Sequence, residues 1–313
     1  MRAERGIVGF ISFMLCAAAQ GADRVVLPAD TEGGQGKNPS TSLGASPSVY
    51  VSRGVSWAER GEWDKAVEDL KRAYALDPAN VETLIDLCLA YTEKKDFENA
   101  ANYGRRAVEA VKAGPSDRQA GAYHALGLAL EGLGEDQKAE AAYREGIARD
   151  PSDAGLYLTL GNLYGKAKSL DRALTAYEEV VRLDPKNEFV YSNIAYVHEA
   201  MGNAAEAMKA LDRATEANPR DEVAWYDLGA AHGKRREWDK AIECYKKSLK
   251  IDAKFYKACI SAALAYEKKG DLTAASEYYV RALSLTDDPR LKEAILRLIT
   301  ESSEELPATQ KLL

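Results

Sequence analysis

Alanine stands at positions 66, 100, 139, 173, 207, 241 and 275, so every step is 34 residues except one of 39. Self-similarity at a fixed period of this size is the signature of a repeat array, in which each unit buries its apolar face only by stacking on its neighbours. Counting back from the alanines places seven blocks at 47 to 80, 81 to 114, 120 to 153, 154 to 187, 188 to 221, 222 to 255 and 256 to 289. Twelve residues before each alanine comes a small residue: Gly54, Cys88, Gly127, Gly161, Ala195, Gly229 and Ala263. Seven residues after it comes another mostly small one: Ala73, Ala107, Gly146, Val180, Ala214, Ser248 and Ala282. Small residues at these places let two helix backbones approach, and large ones between them fill the seam. Asp77-Pro78, Asp150-Pro151, Asp184-Pro185 and Asn218-Pro219 close four blocks, because proline cannot continue a helix and disfavours it at the residue before. Each block therefore reads as helix, short turn, helix, stop, with helices of about 13 residues, roughly 20 Å long.

The large residues complete the pattern. Tyr50, Leu84, Tyr123, Tyr157, Tyr191 and Trp225 come early in the units, and Leu70, Tyr143, Tyr177, Leu211, Tyr245 and Tyr279 late. In the sixth unit Trp225, Leu228, Gly229, Ala241, Tyr245 and Ser248 stand where the tetratricopeptide repeat has its Trp, Leu, Gly, Ala, aromatic and Ala, and Pro151, Pro185 and Pro219 take its terminal proline. The chain resembles that family over residues 47 to 289. Three positions depart from it: Arg53 in a leucine slot, Gly104 in a late aromatic slot and Cys259 in an early aromatic slot. The resemblance implies an all-α fold, a right-handed superhelical α-solenoid of about seven helix-turn-helix repeats. Apolar residues at 291, 295, 298 and 299 predict a capping helix over 290 to 300, followed by a frayed tail at 301 to 313. Five extra residues around Gly114-Pro115-Ser116-Asp117 predict a turn between the second and third units, with an N-cap at Ser116 or Asp117.

The N-terminus has another composition. Two arginines precede an apolar run from Ile7 to Ala19, short for a membrane span and suited to a secretory signal, with Ala17-Ala18-Ala19 as a cleavage site. Residues 1 to 19 are thus expected to direct export to the periplasm or outside. An uncleaved anchor is the alternative, and Cys16 as a lipid acceptor is a lesser one, since leucine rather than a small residue precedes it. Residues 20 to 46, rich in Gly, Ser, Thr, Pro and Asn, read as a flexible linker.

Chemistry is sparse. The net charge of −7 lacks the basic face of a nucleic-acid binder, and Lys234-Arg235-Arg236 lies at a turn beside Glu237 and Asp239. Three cysteines remain after the signal, Cys88, Cys244 and Cys259, an odd number without metal-site spacing. Cys88 fills a small-residue slot. Cys244 and Cys259 fall on adjacent helices, which leaves a disulfide open. His198 and His232 occupy a column shared with Trp57, Tyr91, Tyr164 and Tyr266, which favours packing over catalysis, and no catalytic triad, metal motif or cofactor loop is legible. No enzyme activity and no cofactor are expected.

What remains is recognition. The resemblance implies that the first helix of each pair lines a concave groove, formed by Ile85, Leu89, His124, Leu128, Leu158, Asn162, Ser192, Asn193, Tyr196, Tyr226, Ala230, Ile260 and Leu264. Asn162 and Asn193 match the asparagines of the family's carboxylate clamp, but Leu158, Val223 and Asp227 replace its basic residues, so the clamp itself is not expected. Leu128, Asn162, Asn193, Tyr196 and Tyr226 give the best mixture of apolar anchors and amides that read a peptide backbone. The sequence thus reads as an exported scaffold that binds a protein or peptide in assembling an envelope or secreted complex. The alternatives are an enzyme-associated accessory or weak hydrolase built on groove carboxylates and His124, and a self-associating structural protein. Nucleic acid is not an expected partner, and a membrane is one only through the N-terminus.

Overall fold

The computed structural model describes residues 46 to 112, 118 to 187 and 189 to 304, and among these are fifteen helices and no strand. The signal and linker expectations, the N-cap at Ser116 or Asp117 and the tail beyond 304 lie outside the described residues. The chain divides between Asp184 and Pro185 into two compact bodies. The first holds four helix pairs: α1 (Pro47–Glu59) with α2 (Trp63–Leu76), α3 (Val81–Glu93) with α4 (Phe97–Lys112), α5 (Gln119–Gly132) with α6 (Asp136–Arg149), and α7 (Ala154–Lys166) with α8 (Leu170–Leu183). The second holds three pairs and a last helix: α9 (Val190–Ala200) with α10 (Ala204–Ala217), α11 (Glu222–Lys234) with α12 (Trp238–Ile251), α13 (Tyr256–Lys269) with α14 (Leu272–Ser284), and α15 (Pro289–Glu304).

Both kinds of turn are written in side chains. Within each pair one residue takes a left-handed backbone: Gly61, Lys95, Gly134, Lys168, Gly202, Arg236 and Gly270, with φ from 57° to 86°. Between pairs, the acid or amide before proline accepts a backbone N–H two residues on, as in Asp77 to Ala79, Asp150 to Ser152 and Asn218 to Arg220. The residue three places later then caps the next helix: Asn80 accepts from Thr83 N, Asp153 from Gly155 N and Asp221 from Val223 N. One short loop stops a helix and starts the next.

The seam inside a pair is filled by an aromatic ring lying on a glycine. A Cβ added to Gly161 would sit 2.5 Å from Tyr177 Cε1, and Gly127 against Tyr143 and Gly229 against Tyr245 are equally tight. These rings are buried, and the Tyr143 and Tyr177 hydroxyls donate to Glu131 and Asn162 on the first helix of the same pair.

The departures from the family pattern have compensations. Arg53, in the leucine slot, donates two hydrogen bonds to the buried carboxylate of Asp69 on α2, so a charged pair replaces an apolar contact. Gly104 leaves out a ring, and α5 moves into the space: a Cβ there would meet Leu126 Cα at 3.0 Å and Cys88 Sγ at 3.1 Å. Cys259 is fully buried in the cluster with Leu249, Ala263, Tyr279 and Ile295. Cys244 packs instead with Ala195, Leu211 and Leu228, and both thiols are free, so the disulfide left open by the sequence is not made. In α15, Ile295 is fully buried with Leu298 and Ile299 packed beside it, and the helix runs four residues past the expected end at 300.

A candidate protein-binding surface

In the first body the first-helix row is mostly closed. Ile85, Leu89, Leu128 and Leu158 are all buried, and His124 is completely so. At repeats 2 and 3 the first helices pack directly on each other: where Gly104 leaves out a ring, α5 lies against α3 as well as α4. His124 shares a hydrogen bond of 3.3 Å with Thr159 Oγ1 and meets Tyr143 edge to ring. Burial holds its imidazole uncharged, with a pKa lowered to about 3. A ring so placed neither meets a substrate nor exchanges protons near neutrality, which removes it from the hydrolase alternative. Asn162 is half-buried, and its Oδ1 accepts the Tyr177 hydroxyl at 2.8 Å.

The second body keeps its row open. Tyr196 on α9 is 62% exposed, and Leu264 on α13 also reaches solvent. Between them in repeat order lies Ala230 on α11, with Ser192, Asn193 and Ile260 half-buried. Tyr226 is half-buried, its ring 5.2 Å from Phe255 and 5.8 Å from Tyr245, so it supports the wall from behind more than it stands out of it. Asn193 is engaged within the protein. Of the five residues chosen from sequence, Leu128 and Asn162 thus lie in the first body, and Asn193, Tyr196 and Tyr226 in the second. The row also includes a residue the sequence reading passed over, Phe189, exposed just before α9. Its repeat position is held by Val223 in the next unit, an apolar match visible only once the units are aligned.

The flanking charges are mostly spoken for. Lys234 bonds Glu199 at 2.7 Å and Arg235 bonds Glu237 at 3.2 Å, so two of the three cations at this turn are paired locally. His232 meets Glu237 at 2.8 Å through Nδ1, and that contact is the first cause of a lowered Glu237 pKa. Glu131 and Glu93, near the C-terminal ends of α5 and α3, have their pKa values raised by desolvation. Among the described residues, no group of three or more His, Cys, Asp or Glu is arranged to hold a metal ion.

The tetratricopeptide repeat family matches residues 52 to 118, 120 to 163, 166 to 231, 223 to 255 and 256 to 289. A solved structure of MamA protein is 28% identical at a TM-score of 0.50, covering 61% of this chain and 98% of that one. PilF of Pseudomonas aeruginosa shares the fold at 20% identity and a TM-score of 0.59, over 71% of this chain and 98% of its own. YrrB, described as a TPR protein with an unusual peptide-binding site, shares it at 23% identity and 0.51, over 63% and 100%. Alanine period, ring-on-glycine seam and family matches converge, and the chain belongs to the tetratricopeptide repeat family, as an α-solenoid of helical repeats.

Proposed function

We propose that this protein is an exported, non-enzymatic scaffold that binds another protein through the first-helix row of its second body. The observation that carries the reading is Tyr196, a large aromatic left 62% exposed on a row where Phe189 and Leu264 also reach solvent. Aromatic side chains are the commonest anchors of protein interfaces, and an exposed one flanked by Phe189, Ala230 and Leu264 offers a partner both a knob and a place to seat one. The partner favoured is an amphipathic helix. An extended peptide needs donors and acceptors for its backbone, and here the Oδ1 of Asn162 is already taken by the Tyr177 hydroxyl while Asn193 is half-buried and engaged within the fold. A helix satisfies its own backbone and asks only for apolar contact. Assembly of an envelope or secreted complex fits the N-terminal signal pattern, with YrrB as a relative in fold that takes peptides.

A photo-crosslinking amino acid at position 196 or 264, expressed in the native host, should capture one common partner, whereas the same probe at exposed Leu76 in the first body should not. Against that partner Tyr196→Ala should weaken binding by about 1 to 3 kcal/mol without loss of folding. Asn193→Ala should change affinity little if the partner is helical. Capture from position 76 alone, or wild-type affinity in both Tyr196→Ala and Leu264→Ala, would remove the surface from consideration. For export, terminal sequencing of the native protein should find a start near Gln20. An intact Met1 or a lipidated Cys16 would replace secretion by anchoring or retention.

A further inference from the structure

Asp86 sits in the middle of α3, 1% exposed, with neither carboxyl oxygen hydrogen-bonded among the described residues. Buried carboxyls are ordinarily paired or bonded, because an isolated charge out of water is among the costliest things a fold can hold. The charges that act on it are two. Glu82, one turn earlier on α3, is of like sign. Arg118, at the start of α5, is of opposite sign, but its guanidinium is directed to Glu82 at 3.4 Å and both side chains are about one third exposed. Among the described residues no charge on α1, α2 or α4 bears on Asp86, and Asp69 is engaged by Arg53 and Arg72. The acid is not a packing requirement either. The same repeat position holds Ala125 in repeat 3 and Thr159 in repeat 4, where the hydroxyl bonds the backbone of its own helix.

We propose that Asp86 is a proton-operated latch on the second repeat: with its carboxyl protonated α3 stays seated, and loss of the proton loosens α3 and uncovers the apolar residues Ile85 and Leu89 beside it. The direction follows from linkage. Burial, then Glu82, raise the carboxyl's pKa in the closed form well above its ordinary value, so the closed form holds a proton that the open form releases. Closure is therefore strongest below the ordinary aspartate range and weakens as pH rises toward the elevated closed-form value, by up to about tenfold in the open-to-closed ratio per pH unit. The inference concerns the first body and is independent of the binding surface on the second.

The molecule carries its own reporter. Cys88, two residues along α3, is fully buried, donates to Ala125 O on α5 at 3.3 Å, and has its thiol pushed up to about 12 by burial, so it reacts only when α3 moves. Full-length protein is alkylated with iodoacetamide between pH 5 and 9, and each cysteine is followed by peptide mass spectrometry. Every rate is divided by that of the same thiol in the urea-unfolded chain at the same pH, which cancels the intrinsic thiol titration. In the wild type, protection of Cys88 should fall with rising pH by up to about tenfold per unit, while Cys244 and Cys259 in the second body do not follow it. Asp86→Asn and Asp86→Thr, the latter borrowing the residue of repeat 4, should each flatten the Cys88 curve. A flat wild-type curve overturns the proposal outright, as does a slope that survives in whichever of the two variants folds by circular dichroism.

Discussion

Replacing Gly161 with alanine adds one methyl group where no space exists for it. Its Cβ would lie 2.5 Å from Tyr177 Cε1 and 2.7 Å from Cδ1, about 1 Å inside ordinary carbon contact, and Tyr177 is itself 3% exposed. The ring must retreat, and the hydroxyl that meets Asn162 Oδ1 at 2.8 Å retreats with it. Overpacking of this kind costs about 1 to 3 kcal/mol, loss of the hydrogen bond about 1 kcal/mol, and the better helix preference of alanine returns about 1 kcal/mol. The net expectation is a loss of about 1 to 3 kcal/mol. Gly165, four residues along α7, is the control: its added Cβ meets only Tyr177 Oη at 3.7 Å, ordinary contact, so Gly165→Ala should gain about 0.5 to 1 kcal/mol. Urea melts by circular dichroism, read at the transition of the first body, compare the two in one background. Adding Tyr177→Leu to Gly161→Ala should cost less than the sum of the single changes, because the clash disappears with the ring. Equal midpoints for the two alanine variants, or strict additivity in the double change, would show that the ring does not rest on that glycine.

Three further outcomes follow from the same structure. Asp69→Ala strands Arg53 without its carboxylate and should cost about 1 to 3 kcal/mol in chemical denaturation, a range below that of fully buried pairs because Arg53 is partly exposed, whereas Arg53→Leu with Asp69→Leu should recover most of the loss. Lys95→Gly and Lys168→Gly, each relieving a left-handed backbone, should raise stability by about 0.5 to 1 kcal/mol apiece, measured as a shift in thermal midpoint. His124 has its pKa depressed to about 3 by burial, so the unfolded chain takes up a proton near pH 6.5 that the folded chain refuses; its contribution is whole above that value and should be lost, by up to about 1.4 kcal/mol per unit, as pH falls toward 3. The stability difference between wild type and His124→Phe measured at pH 7, 6 and 5 checks the sign, and a difference independent of pH would reject it.

The architecture was legible because its period is carried by residues that cannot be exchanged freely. Ala173 and Ala207 are buried at helix contacts, and Gly161 lies under a ring, so composition and geometry report the same constraint. The left-handed turn column was equally available, with Gly61, Gly134, Gly202 and Gly270 in register, but three of seven turns hide it behind Lys95, Lys168 and Arg236. The site was less legible. Leu89, Leu128 and Tyr196 hold the same repeat position, yet two are buried and the third is 62% exposed, a difference set by surrounding residues that the repeat pattern does not carry. Nor does sequence show that the amide of Asn162 is engaged by a tyrosine fifteen residues later.

Gly104 changes what kind of inheritance the array allows. Where a ring is absent, the neighbouring helix rather than a larger side chain fills the gap, so repeats 2 and 3 are cut to each other's shape. Restoring the family's aromatic at position 104 would then drive a side chain into the backbone at Leu126, and what looks like correction toward the consensus would be a lesion. Duplication, deletion or transplantation of single repeats should succeed for repeats that keep the ring-on-glycine seam within their own pair and fail across the junction of repeats 2 and 3. Repeats 2 and 3 would have to travel together, as one word rather than two letters.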